Sequence, residues 1–256
     1  MYEGKSVAVV MPIHNERDHV ARAVSRVPAY VDLVIAVDDA STDDTWGELG
    51  KLRRRGLVRL RHETNRGVGA ATKTGYRHAL KLRSDLIAVM DGDGQMHGGD
   101  LASLLNRALS GADYVKGNRF LDSATIGRMP RTRWTGNLLL SLLTRLASDF
   151  SGSLDAQCGY TVIRRDALAR LQLDRLYDRY GFPNEMLFAA VTAGLEVSCV
   201  PVRSIYGGEV SGINPFTAVP RILLLIAKGY FSIRARRTRN DVVCFDPGWN
   251  RGSESV

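Results

Sequence analysis

The chain has 256 residues, 45% of them apolar and 24% charged, with 35 basic against 27 acidic side chains and a formal net charge of +8. That balance excludes a disordered chain and a disulfide-stapled miniprotein, and the length suits one large domain or two small ones. No run approaches the ~20 apolar residues that cross a bilayer, so the chain is expected to be soluble or peripheral, with its positive surplus drawn to nucleotide phosphates, lipid headgroups or nucleic acid.

Cys158, Cys199 and Cys244 are odd in number and widely spaced, which reads as free thiols in a reducing, cytoplasmic compartment. The N-terminus lacks the cationic and long apolar regions of a signal peptide, so none is expected.

In chain order, Lys5 to Met11 is a β-branched run of the kind buried on both faces of a sheet, closed by Pro12. Glu16 to Val27 follows with helical spacing, and Val31 to Val37 is a second strand stopped by Asp38 and Asp39. A helix through Trp46 and Leu49, a short strand at Val58 to Leu60, a glycine loop at Asn65 to Gly69 and a helix over Ala70 to Leu82 come next. Leu86 to Met90 is another buried strand, Asp100 to Leu109 a helix and Tyr114 to Gly117 a strand. Beyond Phe120 the pattern loosens. Leu138 to Leu146 and Asn184 to Ala193 read as helices, and Tyr160 to Ile163 and Val197 to Val202 as strands. Pro215 to Arg239 is apolar first and basic later, and a polar tail starts near Asp241.

Strand–helix alternation predicts an α/β fold with a mostly parallel sheet, whose ligands bind beyond the carboxyl ends of the strands. Asn15-Glu16, Asp38-Asp39 and Asp91-Gly92-Asp93 each follow a strand directly, which predicts one shared site. Asp91 and Asp93 can aim oxygens at one hard cation, with Gln95 close by; the other reading is a solvated acidic turn, and the two neighbouring acidic strand ends favour the cation, Mg²⁺ or Mn²⁺. Asp38 and Asp39 repel each other, so one needs a donor such as a base N–H, or both cap the following helix. Glu16 either accepts from a ribose or base or caps its own helix. His14 has no second histidine at ligand spacing. The glycine loop opens a helix and could meet phosphate through its N–H groups, but it is neither a Walker loop nor a dinucleotide fingerprint. Lys73 either adds charge toward the site or faces solvent.

These motifs, Pro12-x-x-Asn15-Glu16, Val37 to Asp43, Asn65-x-Gly67-x-Gly69 and Asp91-Gly92-Asp93-Gly94-Gln95, resemble in their order inverting glycosyltransferase family 2. The nearest look is to its dolichol-phosphate mannose synthase and polyprenyl-phosphate glycosyltransferase branch. The resemblance continues through Gly117-Asn118-Arg119, Arg131 to Asn137, Asp155-x-Gln157-Cys158-Gly159-Tyr160 and Phe182-x-x-Glu185, over roughly residues 6 to 210.

The resemblance implies a GT-A fold, Rossmann-like, with a C-terminal helical extension on the acceptor side. It implies a glycosyltransferase domain over 1–210 (nucleotide-sugar half to about 120, acceptor half beyond), a basic amphipathic extension over 211–240 and a tail over 241–256. Pro12, Asn15, Glu16, Asp39, Lys73 and Asp91 would meet the nucleotide sugar, and Asp91, Asp93 and Gln95 the cation. Asp93 and Glu185 would be the catalytic pair, and Arg119, Arg131 and Arg203, with Arg133 a further candidate, would hold an acceptor phosphate. Asn184-Glu185 stands where relatives that glycosylate hydroxyls carry Glu-Asp, and an ionised phosphate acceptor needs no strong base. The polymerase motif Q-x-x-R-W is absent.

The expected partners are therefore a UDP- or GDP-sugar and a lipid phosphate. Ile222 to Ala227 with the basic residues after it is expected either at a cytoplasmic membrane face or against a membrane protein, or as a core helix or oligomer contact; the oligomeric state stays open. The competing readings are transfer to a hydroxyl, a nucleotidyltransferase and a basic nucleic-acid-binding protein. The last lacks a basic stripe interleaved with aromatics, so no nucleic-acid partner is expected.

Overall fold

The computed structural model describes residues 1–128, 131–148, 155–205 and 215–241, without the side chains at 124, 128, 131–133, 215–218 and 236–241. Seven strands form one sheet in the order β3-β2-β1-β4-β6-β5-β7. These are β1 Val7–Ile13, β2 Leu33–Asp38, β3 Leu57–Arg61, β4 Leu86–Val89, β5 Tyr114–Asn118, β6 Thr161–Arg164 and β7 Val197–Pro201. Neighbouring pairs are parallel except those made by β6, which runs antiparallel to both β4 and β5. The sheet is thus mostly parallel, as the alternation predicts, and strands from both halves of the sequence share it.

The β1 and β2 runs are continuous because each face of the sheet is covered. Val7, Val9, Met11 and Ile13 join Val34 and Ala36 in a core under α1 (Val20–Arg26) and α4 (Leu101–Leu109). The alternate residues Ala8, Val10, Ile35 and Val37 join a second core under α3 (Val68–Lys81) and α8 (Phe182–Thr192). The short helix α2 (Thr45–Lys51) packs against α1. The expected glycine-loop helix therefore starts at Val68, and the first helix starts at Val20 rather than Glu16, since Asn15 to Asp18 are spent on the loop that leaves β1.

The second half adds α5 (Ser123–Arg128), α6 (Arg131–Ser148), α7 (Arg165–Ala169) and α9 (Pro215–Asp241). Helix α8 is buried on nearly every side because it lies between β7 and the pair α6 and α9. Leu140 and Ala147 of α6, Phe188 of α8 and Ile222, Ile226 and Ile233 of α9 close a third core there. Only part of the apolar run Ile222 to Ala227 faces outward: Ile222, Leu225 and Ile226 are buried, while Leu223 and Leu224 are exposed. Among the described residues no helix is long and apolar enough to cross a membrane. The expected tail and Cys244 lie outside the described residues, as does the side chain of Arg131 and that of Arg133. Cys158 and Cys199 are free thiols.

Candidate active site

The carboxyl ends of β1, β2, β4, β5 and β7 lie along one edge of the sheet, and antiparallel β6 begins at that edge. The loop before β6, Asp155 to Tyr160, is thereby delivered to the same place as the acidic strand ends. A cleft of about 640 Å³ opens there, within the range of small-molecule sites. Pro12, Asn15, Glu16, Asp39, Asp91, Asp93, Gln95, Arg119 and Arg203 all line it, so nine sequence-predicted residues share one cavity.

At one end the loops after β1 and β2 are laced together. Asn15 takes a left-handed backbone (φ 57°) and its Oδ1 accepts from the Thr42 N–H at 2.8 Å, while its own N–H donates to Ser41 Oγ at 2.9 Å. Asp39, buried, accepts at Oδ1 from the Arg66 N–H (3.0 Å) and at Oδ2 from the Gly67 N–H (2.6 Å), and His62 Nδ1 lies 2.6 Å from Oδ1. His14 Nδ1 stands 2.9 Å from the Asp39 carbonyl, so it donates there and leaves Nε2 to accept from Asn65 Nδ2 at 3.1 Å. His14 is thus a strut between three loops. The pair splits its work: Asp38 accepts from Ser41 and meets Arg61 at 3.0 Å, so it is the internal acid, while Asp39 stands at the cleft.

The glycine loop does not offer the open N-terminus that its sequence suggests. Its Gly67 N–H goes to Asp39, its Ala70 N–H goes to the Asp178 carbonyl at 3.0 Å, and the Ala71 N–H returns to Gly67. Gly67 adopts φ 101° under the 177–179 segment, and a Cβ there would lie 2.5 Å from the Asp178 carbonyl oxygen. The glycines serve close packing, and Gly67 and Val68 form part of the cleft wall.

Asp91 and Asp93 form the acidic corner. Asp93 Oδ1 accepts from the Gln95 N–H at 2.8 Å, which folds the turn back on itself. Burial, and after it the nearby Asp93 charge, push the Asp91 carboxyl up to about 7, with the Arg119 guanidinium pulling the other way. A carboxylate whose proton affinity is raised by a second carboxylate beside it makes with it a ready pair for a divalent cation, with Gln95 close by, and the oxygen-only donor set suits Mg²⁺ or Mn²⁺. Among the described residues no group of three or more His, Cys, Asp or Glu gathers. Gly159 closes against Asp91: a Cβ on it would lie 3.1 Å from Asp91 Oδ2.

Other expected residues hold different posts. Lys73 does not line the cleft; it is buried, donates to the Leu176 carbonyl at 2.7 Å and pairs with Asp178 at 2.6 Å, because its helix turns that face toward the 176–178 segment. Glu185 does not line it either. Its Oε2 accepts from the Tyr177 N–H, its Oε1 stands 3.7 Å from Lys228, and it faces a second, shallower cleft beside Arg179 and Arg221. Arg119 lines the site, but its fork closes on buried Asp155, with Nε at 2.5 Å and Nη2 at 2.9 Å. Arg203 is half exposed in the cleft and grips Asp100 through its own N–H (2.7 Å) and Nε (2.9 Å).

Tyr180, Gln157 and Asn137 are among the cleft residues outside the list of expected site residues. Tyr180 lies near enough to Asp91, Glu16 and Asp93 that their charges, after burial, raise its phenol above the usual range. Gln157 and Asn137 also line the cavity. Gln157 Nε2 donates to Asn184 Oδ1 at 3.0 Å, Asn184 Nδ2 to Thr144 Oγ1 at 2.8 Å, and Thr144 Oγ1 to the Leu140 carbonyl at 2.7 Å. Gln157 and Asn137 stand inside the family-like motifs; Tyr180 left no signal.

Comparison with known proteins fits this geometry. Residues 8–172 match the model of glycosyl transferase family 2. A UDP-N-acetylglucosamine–dolichyl-phosphate N-acetylglucosaminyltransferase of Methanococcus voltae is 29% identical over 218 residues, covering 79% of this chain and 86% of that protein. An undecaprenyl-phosphate mannosyltransferase of Micrococcus luteus is 29% identical over 205 residues, covering 77% and 82%. Glucosyl-3-phosphoglycerate synthase from Mycobacterium tuberculosis, solved with Mn²⁺, UDP and its product, superimposes with a TM-score of 0.63 at 18% identity, covering 91% of this chain and 80% of that one. The fold is therefore GT-A-like, and with the family match spanning well over half its length the chain belongs to glycosyl transferase family 2 and is a glycosyltransferase.

Proposed function

We propose that the cleft takes a nucleotide sugar, with a divalent cation, and passes its hexose with inversion to a polyprenyl phosphate. The observation that carries this reading is the Asp91 and Asp93 pair at the mouth of β4, sharing one cleft with the Asn15 to Glu16 and Asp39 loops. Pro12, Asn15, Glu16 and Asp39 form the nucleoside end. Asp39, anchored by two main-chain N–H groups, keeps acceptor capacity for a base N–H. Asp91, Asp93 and Gln95 would hold Mg²⁺ or Mn²⁺, which when bound supplies charge neutralisation at the departing diphosphate. The structural neighbours were solved with UDP and Mn²⁺ or Mg²⁺, and the Methanococcus relative is named for a UDP-sugar, which together support a uridine donor before a guanosine one.

The chain's own residues then orient the reaction. Tyr180 and the Gln157 loop wall the space beside the acidic corner. Arg203, half exposed and held by Asp100, presents positive charge for an acceptor phosphate. Glu185 stands away from the cleft, under the Tyr177 N–H, which supports an acceptor oxygen that arrives already ionised. Relatives named for dolichyl and undecaprenyl phosphate support the same acceptor class.

The test is a donor panel. UDP-, GDP- and dTDP-sugars with Mn²⁺ should raise the melting temperature for one base only. Radiolabelled sugar from that donor should then enter the lipid fraction when polyprenyl phosphate is added. Transfer to a sugar hydroxyl, with polyprenyl phosphate inert, would replace this acceptor by the hydroxyl reading.

A further inference from the structure

Helices α6 and α9 pack on each other and, with α8, around the core of Leu140, Ala147, Phe188, Ile222, Ile226 and Ile233. A surface helix anchored on one face ordinarily turns polar residues to water on the other. Both helices turn large apolar residues there as well. Leu138, Leu139, Leu142 and Leu146 of α6 are exposed, Leu146 at 65%. At about 100° per residue they fall on one stripe opposite Leu140 and Ala147. On α9, Leu223, Leu224 and Phe231 are exposed, the last two at 70% and 68%, on the side away from Ile222, Ile226 and Ile233. Two adjacent helices thus carry apolar stripes directed away from their common core.

Charge narrows what covers them. Arg145 of α6 and Arg221, Lys228 and Arg234 of α9 are exposed. Over their whole lengths the two helices hold nine basic residues and a single acid, Asp241 at the last position. An apolar stripe flanked by cations and lacking acids complements the bilayer interface, where acyl chains lie beneath anionic headgroups. Asn137 of α6 and Ile222 of α9 line the catalytic cleft, so the same two helices reach from this surface to the site.

We propose that the outward faces of α6 and α9 form one docking surface for an anionic lipid bilayer, laying the cleft beside the membrane. The surface stands on the two helices alone and holds whatever the acceptor proves to be.

The full chain should co-sediment with vesicles of phosphatidylcholine and phosphatidylglycerol, and salt should release it. Vesicles of phosphatidylcholine alone should retain much less. The double variants Leu142→Glu with Leu146→Glu, and Leu224→Glu with Phe231→Glu, should each lower the bound fraction about tenfold or more while keeping the circular dichroism spectrum of the parent. Unchanged sedimentation of folded variants would overturn the proposal. So would a dimer that the variants convert to monomer in analytical ultracentrifugation while vesicle binding persists, since a second copy would then be the occupant. Phe231→Trp is a gentler probe that does not depend on the charged variants folding. The emission it adds over the parent, which carries Trp46, Trp134 and Trp249, should shift to the blue with anionic vesicles and be quenched by brominated lipid, and an unmoved difference spectrum would count equally against the surface.

Discussion

Asp39 Oδ2 accepts the main-chain N–H of Gly67 at 2.6 Å, so an acid at the end of β2 fixes the start of α3 across the cleft. Oδ1 repeats the contact with the Arg66 N–H at 3.0 Å. One side chain therefore both shapes the glycine loop and lines the cleft. Asp39→Asn puts an NH₂ group opposite donors and should cost about 1–3 kcal/mol in urea unfolding. It should also raise the donor KM more than it lowers kcat, because the loop wall loosens before the chemistry changes. Parental stability together with a parental KM would show that the loop holds its shape without Asp39.

Arg119 and Asp155 make a buried, two-pronged ion pair directly behind the acidic corner. Arg119→Met leaves a carboxylate at zero exposure without its counter-charge, and should cost about 3–5 kcal/mol. Arg119→Met combined with Asp155→Leu should recover most of that, since an apolar pair removes both desolvation penalties. A double-mutant cycle in urea measures the coupling. If the single variant costs less than about 1 kcal/mol, Asp155 has found another partner and the pair is not what holds the 155–160 loop.

How much of this was legible in the chain depends on what a pattern encodes. β1, β2 and β4 were readable because a strand buried on both faces must be apolar at every position, and their acidic ends marked the ligand edge. The reversal of β6 was not readable, since an apolar run carries no direction, yet that reversal delivers Gln157 and Gly159 to the site. Asn184 and Glu185 were visible as a motif, but adjacent helical residues point about 100° apart, and only packing decides which faces the cleft. Asn184 reaches the cleft through Gln157, while Glu185 turns to Tyr177 and Lys228. Packing likewise turns Lys73 to the Leu176 carbonyl and Asp178.

The raised Asp91 carboxyl gives a pH test with a definite sign. Its folded value of about 7 lies above the unfolded value of about 3.9, so the folded protein binds this proton more tightly. Without cation, the contribution of Asp91 to stability falls as pH rises from about 4 to about 7, and the loss is complete above that window. Asp91→Asn removes the penalty, so the cation-free variant should melt clearly above the parent at pH 8 and level with it near pH 4. Mn²⁺ should stabilise the parent increasingly from pH 6 to 8 and leave the variant unmoved. Equal Mn²⁺ stabilisation of both proteins would remove Asp91 from the cation site.

The chain Gln157, Asn184, Thr144 and the Leu140 carbonyl runs from the cleft into the α6–α8 contact, and every donor in it has one acceptor. Because Nε2 of Gln157 is tied to buried Asn184, the amide cannot turn freely, and its carbonyl oxygen keeps one orientation two residues from Gly159, which abuts Asp91. Such a fixed acceptor suits a hydroxyl of the transferred sugar. Asn184→Asp, held protonated by burial, retains an oxygen for Gln157 Nε2 and an O–H to donate to Thr144 Oγ1, so transfer should stay within about threefold of the parent. Asn184→Leu leaves Nε2 with no partner and frees the amide to flip, and kcat/KM should fall about tenfold or more, close to the loss in Gln157→Leu. Combining Asn184→Leu with Gln157→Leu should add little to either, because both break one linkage. Full additivity in that cycle would mean that Asn184 supports the α6–α8 packing alone and that Gln157 is oriented by something else.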